Sequence, residues 1–166
     1  MTVDSFRWLP GAIAAYYRGL PLQKVEPIPW TPLAKPIERC RFALVTTAGL
    51  YMKDRDLSFD LDGERRNPFW GDPTYRVIPR EARQEQIGVA HLHINAAYLL
   101  ADMNVALPVQ RFLELEETGR IGSLAPSHYS FMGFQMDNSE WENRYAPEVA
   151  AHMKEEGVDA ALLTPV

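Results

Sequence analysis

Two apolar runs without polar alternation, Phe42-Ala43-Leu44-Val45 and Ala160-Ala161-Leu162-Leu163, constrain the fold of this chain more than any other feature. Runs of this length, bounded by turn residues, read as strands buried on both faces. The first ends in the tight turn Thr46-Thr47-Ala48-Gly49, and the second follows a helical stretch closed by Gly157. Further strand candidates are residues 76–78 and 87–94. Pro108 suits the first turn of a helix carrying Val109, Phe112, Leu113 and Leu115, with Gly119 as its stop. Pro147 opens a last helix with Val149, Ala150 and Met153 on one face. Residues 54–72, acidic and turn-rich, and residues 123–136, rich in glycine and aromatics, read as loops. Strands alternating with helices predict an α/β fold, an open, mostly parallel sheet with flanking helices.

In such folds the ligand and catalytic groups lie just past the carboxyl ends of the strands. The run from Asp159 to Val166 leads to such an end, where a functional loop is expected. This predicts a chain that has lost its chemistry, places it on another subunit, or is cut at a codon not read as an amino acid.

The 166 residues are expected to form an aromatic, Pro-rich arm over residues 1–37 and an α/β domain over residues 38–166. Pro21, Pro27, Pro29, Pro32 and Pro36 exclude a long helix and predict an extended strap. Before it, Phe6, Trp8, Leu9, Ile13, Tyr16 and Tyr17 lie at roughly helical spacing. A net charge of −5 argues against nucleic-acid binding. No apolar stretch approaches the ~18 residues of a membrane span, and there is no signal-peptide pattern. A single cysteine, Cys40, forbids an internal disulfide, so a cytoplasmic protein is expected.

Three constellations could carry chemistry. Thr46, Thr47 and Gly49 follow a buried strand, and their hydroxyls and backbone N–H groups suit a carboxylate or phosphate; a plain turn is the alternative. His91 and His93 lie two apart within a predicted strand, so both rings would face one side. With His128 they offer a catalytic set or a zinc or iron site, against histidines satisfied by hydrogen bonds. Asp54, Asp56, Asp60 and Asp62 lack the order of a calcium loop and read as a solvated acidic segment. Cys40 precedes its strand, at the sheet's amino end, and reads as a structural thiol.

Several segments in shared order resemble the glycine/sarcosine/betaine/D-proline reductase selenoprotein B family. They include Pro29-Trp30-Thr31-Pro32-Leu33, residues 43–49, residues 71–79, His91-Leu92-His93, residues 104–108, residues 120–126, residues 128–133 and residues 157–166. The resemblance implies an α/β redox protein in which a selenol or thiol attacks the α-carbon of an amine substrate and the C–N bond is cleaved reductively. It further implies a pyruvoyl group on a partner subunit and a Sec- or Cys-containing motif directly after the strand resembling residues 162–166. That motif is absent from this chain.

The leading expectation is therefore a subunit or truncated form of such a reductase, acting on a small amino acid or betaine. Thr46, Thr47, His91, His93 and His128 would line its pocket. The alternative is a short non-redox relative, serving as partner subunit of a heteromeric enzyme or as a His-dependent metalloenzyme. Either way, a partner subunit or a homo-oligomer is expected, because an open strand edge recruits another chain.

Overall fold

Every layer of the sheet is organised around one strand, β1 (Arg41–Thr46). The computed structural model describes residues 4, 6–19, 27, 30–67, 69–133 and 135–166. Contacts divide the chain into residues 1–32 and 33–166. In the first unit, Pro10 leads into helix α1 (Gly11–Gly19). Phe6 stacks on Tyr17 with ring centroids 6.5 Å apart, and the Arg18 guanidinium lies over the Phe6 ring. Trp8 and Tyr16 stay exposed. Of the expected strap, Pro21 and Pro29 lie outside the described residues; Pro32 and Pro36 are exposed, the latter extended before one tight helical turn at Ile37–Arg39.

In the second unit the sheet runs β3 (Tyr75–Pro79), β6 (Ser127–Phe131), β1, β7 (Ala160–Thr164). A short β5 (Ser123–Leu124) pairs with the start of β1, on the edge that β6 takes over further along. β5, β6 and β7 all run parallel to β1, and only β3 is antiparallel. The mostly parallel α/β architecture is therefore as expected. A separate antiparallel pair joins β2 (Leu50–Met52) to β4 (Ile87–Val89).

β1 reads apolar throughout because it has a core on each face. Phe42 and Leu44 point into a cluster with Leu50, Ile78, Leu107 and Val109. That side is covered by α3 (Ala96–Ala101) and α4 (Val109–Glu117). Ala43 and Val45 point the other way, onto Tyr129, Phe131 and Val149. There α5 (Ala146–Glu155) closes the layer, after one widened helical turn at Trp141–Tyr145. α4 and α5 match the sequence expectation, and both end in left-handed glycines, Gly119 and Gly157.

Two expectations need correction. Residues 123–136 are not a loop: they hold β5 and β6, next to β1. The sequence hides this strand because Pro126 interrupts it and its buried residues include His128 and Ser130. Each has a structural partner. The Ala125 N–H donates to the Phe42 carbonyl, but Pro126 has no N–H and its carbonyl accepts from Arg80, in the turn after β3. The His128 ring fills the gap, its Nδ1 accepting from the Leu44 N–H at 3.2 Å. Ser130 Oγ accepts from the Leu50 N–H at 2.7 Å. The acidic segment 54–72 likewise contains a helix, α2 (Leu61–Arg66), whose first turn is capped by Asp60 accepting from Gly63 N–H.

His128 is fully buried, and burial pushes its imidazole down to about 4. The unfolded chain, with an ordinary value of ~6.5, binds this proton at higher pH than the fold does. The stabilisation is thus complete above ~6.5 and is lost as the pH falls toward 4. Urea unfolding at pH 7 and pH 4.5 should show the native protein losing about 2 kcal/mol more than His128→Asn over that interval. Parallel losses would show that His128 is not held neutral by the fold.

Candidate functional site

Three parallel strands end together, which is where α/β folds place their chemistry. β1 leaves into Thr46-Thr47, β6 into Met132-Gly133, and β7 into Thr164-Pro165-Val166. The two threonine hydroxyls tie these ends to each other. Thr46 Oγ1 donates to the Thr164 carbonyl (3.1 Å) and accepts from the Ala48 N–H (3.3 Å). Thr47 Oγ1 accepts from the Val166 N–H at 2.8 Å. The turn's amides are also engaged: Gly49 N–H donates to the Phe131 carbonyl and Leu50 N–H to Ser130. The Thr46–Gly49 segment thus works as a clasp within the fold, and these donors do not converge on open space.

Gly49 has a second task. Its φ is +65°, and a Cβ there would sit 2.1 Å from the Ala90 carbonyl oxygen. The Ala90 N–H donates to the Gly49 carbonyl, so a left-handed turn at Gly49 seats the end of β4 against it. The chain then leaves the ladder. Residues 91–93 are a turn rather than the predicted strand, because the His91 Nδ1 accepts from the His93 N–H (3.1 Å) and bends the backbone toward Asn95, the N-cap of α3. His91 and His93 nonetheless meet, edge to face, with ring centroids 5.9 Å apart.

They line a shallow cleft of about 290 Å³ with Ile94, Gly133 and Val166. His91 is only 9% exposed, and its Nε2 is buried with no hydrogen-bond partner among the described residues. Since Nδ1 accepts, the neutral ring carries its proton on Nε2. That N–H is aimed at Gly133: a Cβ on Gly133 would lie 2.8 Å from it, 3.0 Å from the Val166 carbonyl and 3.1 Å from the Thr47 carbonyl. Burial, then the neighbouring His93, lowers the affinity of His91 for a second proton. His91 is therefore a neutral donor facing the point where the strand ends meet.

His93 is half exposed and reaches the other way, its Nε2 2.7 Å from Glu64 Oε1. Glu64, on α2, is 3% exposed. The contact is close but not aligned as a full hydrogen bond, and the second oxygen, Oε2, has no partner among the described residues. Sequence reasoning missed Glu64, which lay within the acidic run. The available signal was Asp60, a helix cap residue, with Glu64 one turn later.

His128 does not join this pair; it sits in the sheet, bonded to Leu44. Among the described residues no group of three or more His, Cys, Asp or Glu side chains is placed to hold a metal ion. The expected three-histidine zinc or iron site is therefore not assembled. Cys40 is fully buried before β1, its thiol against the Lys35 and Pro36 carbonyls, as expected of a structural thiol.

A mostly parallel α/β domain with a buried imidazole donor beyond its strand ends has the layout of a small-ligand domain. The chain belongs to the glycine/sarcosine/betaine reductase selenoprotein B family, whose model matches residues 13–166. It is 36% identical over 135 residues to the D-proline reductase subunit gamma of Acetoanaerobium sticklandii, covering 81% of this chain and 52% of that one. It is 25% identical over 147 residues to the glycine reductase complex component B subunit gamma of Carboxydothermus hydrogenoformans, covering 87% of this chain and 32% of that one. With the betaine reductase complex component B subunit beta of Peptoclostridium acidaminophilum it shares 27% over 146 residues, 87% of this chain and 32% of that one. The chain thus spans between a third and about half the length of these relatives. No solved structure matches it. No helix among the described residues is long and apolar enough to cross a membrane.

The tautomer of His91 is directly measurable. Long-range ¹H–¹⁵N spectra at pH 7 should show Nε2 protonated and Nδ1 bare, with the ring staying neutral to a lower pH than a free histidine. A proton on Nδ1 would mean that the His93 amide does not hold this ring.

Proposed function

We propose that this chain is a subunit of a reductase complex that cleaves the C–N bond of a small amino acid or betaine, and that the cleft at His91 and His93 receives the substrate. The observation that carries the reading is the buried Nε2–H of His91, which has no partner among the described residues. A donor left unsatisfied in a low-dielectric site costs about 1–3 kcal/mol, which an acceptor on a ligand would recover. A substrate carboxylate is such an acceptor, and a neutral imidazole donor suits it at any pH near 7. The cleft is small, in keeping with a substrate of a few heavy atoms. Family membership supplies the reaction class, and relatives named as subunits of reductase complexes support a partner subunit.

The two electrons for the cleavage come from a selenolate or thiolate supplied from outside residues 1–166. Cys40 is no candidate, since its sulfur is buried at the amino end of β1, the opposite end of the strand from the cleft.

Calorimetry on the chain in its complex, with glycine, sarcosine, betaine and D-proline as probes, tests the reading. At least one should bind, and His91→Phe should weaken that binding about 10- to 100-fold, the worth of a hydrogen bond to a charged group. Equal affinity in the variant, or no binding of any probe, would overturn it. Cys40→Ser should leave thiol-dependent turnover within about twofold of the parent, because a structural thiol contributes no electrons.

A further inference from the structure

β7 has a strand on one side and an open edge on the other. It pairs with β1 alone among the described residues, so the backbone groups of its second edge have no ladder partner there. One of its faces is also uncovered. Ala161 and Leu163 lie opposite Ala43 and Val45 in the parallel register, so their side chains share the face that α5 covers over β1. α5 does not shield them: both are exposed, Leu163 by 67%. Leu162, on the other face, packs into the core with Leu44. Strands of a mostly parallel sheet are ordinarily buried on both faces, and an apolar open edge is a template for another chain.

Beside this edge, at the carboxyl end of the strands, runs an apolar groove of about 380 Å³ walled by Val45, Phe131, Trp141, Ala146, Leu163 and Pro165. No charged side chain lines it. The hydroxyls of its two threonines are engaged within the fold, Thr47 accepting from the Val166 N–H and Thr164 donating to the Val45 and Ala106 carbonyls. One polar group is left over: Trp141 Nε1 is buried and has no hydrogen-bond partner among the described residues. A carbonyl oxygen satisfies an indole N–H without bringing charge into an apolar groove. An extended polypeptide supplies all three requirements together: a row of backbone groups for the edge, an apolar side chain for the groove and a carbonyl for Trp141.

We propose that the β7 edge and its groove are an assembly surface, to which the partner subunit adds an extended, uncharged segment as a further strand. The proposal rests on the reading of this chain as a subunit of a complex, in keeping with relatives named as such subunits, and not on the substrate cleft. The ladder reaches no further than Thr164, because Pro165 has no N–H, so the segment pairs over about five residues. A second copy of this chain fits the surface less well. Two β7 edges joined across a two-fold axis run antiparallel, and with Ala160 of each copy opposite Thr164 of the other, Asp159 lies opposite Pro165. That sets a carboxylate, held here by Lys35 and the Arg41 N–H, against a groove without charge. A five-residue ladder also falls short of the ~1,200–2,000 Å² that stable dimers bury, whereas a strand within a larger subunit contact need not reach that area alone.

Hydrogen exchange and assembly, measured on the chain alone and in its complex, test the proposal. The isolated chain should sediment as a monomer, and the edge-facing amides of residues 160–164 should exchange fast. In the complex their exchange should slow at least about 10-fold. Leu163→Asp, at an exposed position, should leave the fold and the His91 ring signals unchanged. It should nonetheless weaken assembly at least about 100-fold, because it places an unpaired carboxylate in the groove. Trp141→Phe keeps an aromatic wall but loses the N–H, and should weaken assembly about 2- to 10-fold, the worth of one hydrogen bond. β7 amides that stay fast in the complex, or a Leu163→Asp chain that assembles with parental affinity, would overturn the proposal while leaving the subunit and substrate readings standing. A dimer of the isolated chain that Leu163→Asp dissociates would give the surface to a second copy and overturn it as well. If no heteromer forms at all, the subunit reading fails together with it.

Discussion

The five-residue parallel register between β1 and β7, from Phe42 opposite Ala160 to Thr46 opposite Thr164, is the constraint on which the rest of the second unit depends. It sets where β7 stops relative to β1, and the threonine clasp then locks the two ends at one height. With β7 on one edge of β1 and β5 and β6 on the other, β1 is paired along both edges. That is why the break at Pro126 has to be repaired by a side chain. An orphaned buried N–H on Leu44 would cost about 1–3 kcal/mol, and the His128 ring removes that cost from within the sheet.

The cleft follows from the same register by one further step. Gly49 turns left-handed because Ala90 occupies the space of a side chain, and this contact brings the end of β4 to the end of β1. His91 is the next residue after that contact, so its position is set by backbone geometry rather than by its own packing. Gly133 completes the arrangement from β6, leaving open the space that a Cβ would fill between His91 and the carbonyls of Thr47 and Val166. Substituting either glycine would therefore act on the site through sterics.

Much of this was legible in the sequence where hydrophobic pattern and local signals agree. β1, β7, α4 and α5 combine apolar runs or faces with proline starts and glycine stops, so each was readable alone. β6 was not, because a strand whose buried members are histidine and serine has no apolar signature; its identity depends on partners at Leu44 and Leu50, which only tertiary structure supplies. The histidine pair was placed in one pocket by strand alternation, yet it meets there through a turn. A period-2 argument and an imidazole-capped turn happened to bring the same rings together. Glu64 was hidden for the opposite reason: among Asp54, Asp56, Asp60 and Asp62 a buried carboxylate looks like one more solvated charge, and only the helix behind it turns it inward.

His91 and His128 show what separates a candidate ligand donor from a scaffold residue. Both accept a backbone N–H at Nδ1, both have a buried Nε2 without a partner among the described residues, and burial disfavours the charged form of both. In local chemistry they are nearly the same residue. The difference lies in what stands in front of Nε2. His128 lies within β6 with no exposure, so its unused donor is a cost to the fold that comes with a continuous sheet. His91 stands beyond the strand ends, where the same unused donor faces Gly133 at the edge of the cleft, and in the proposed reading a ligand oxygen removes the cost. What stands in front of the imidazole is thus decided by its position relative to the end of β1, which is again a matter of register.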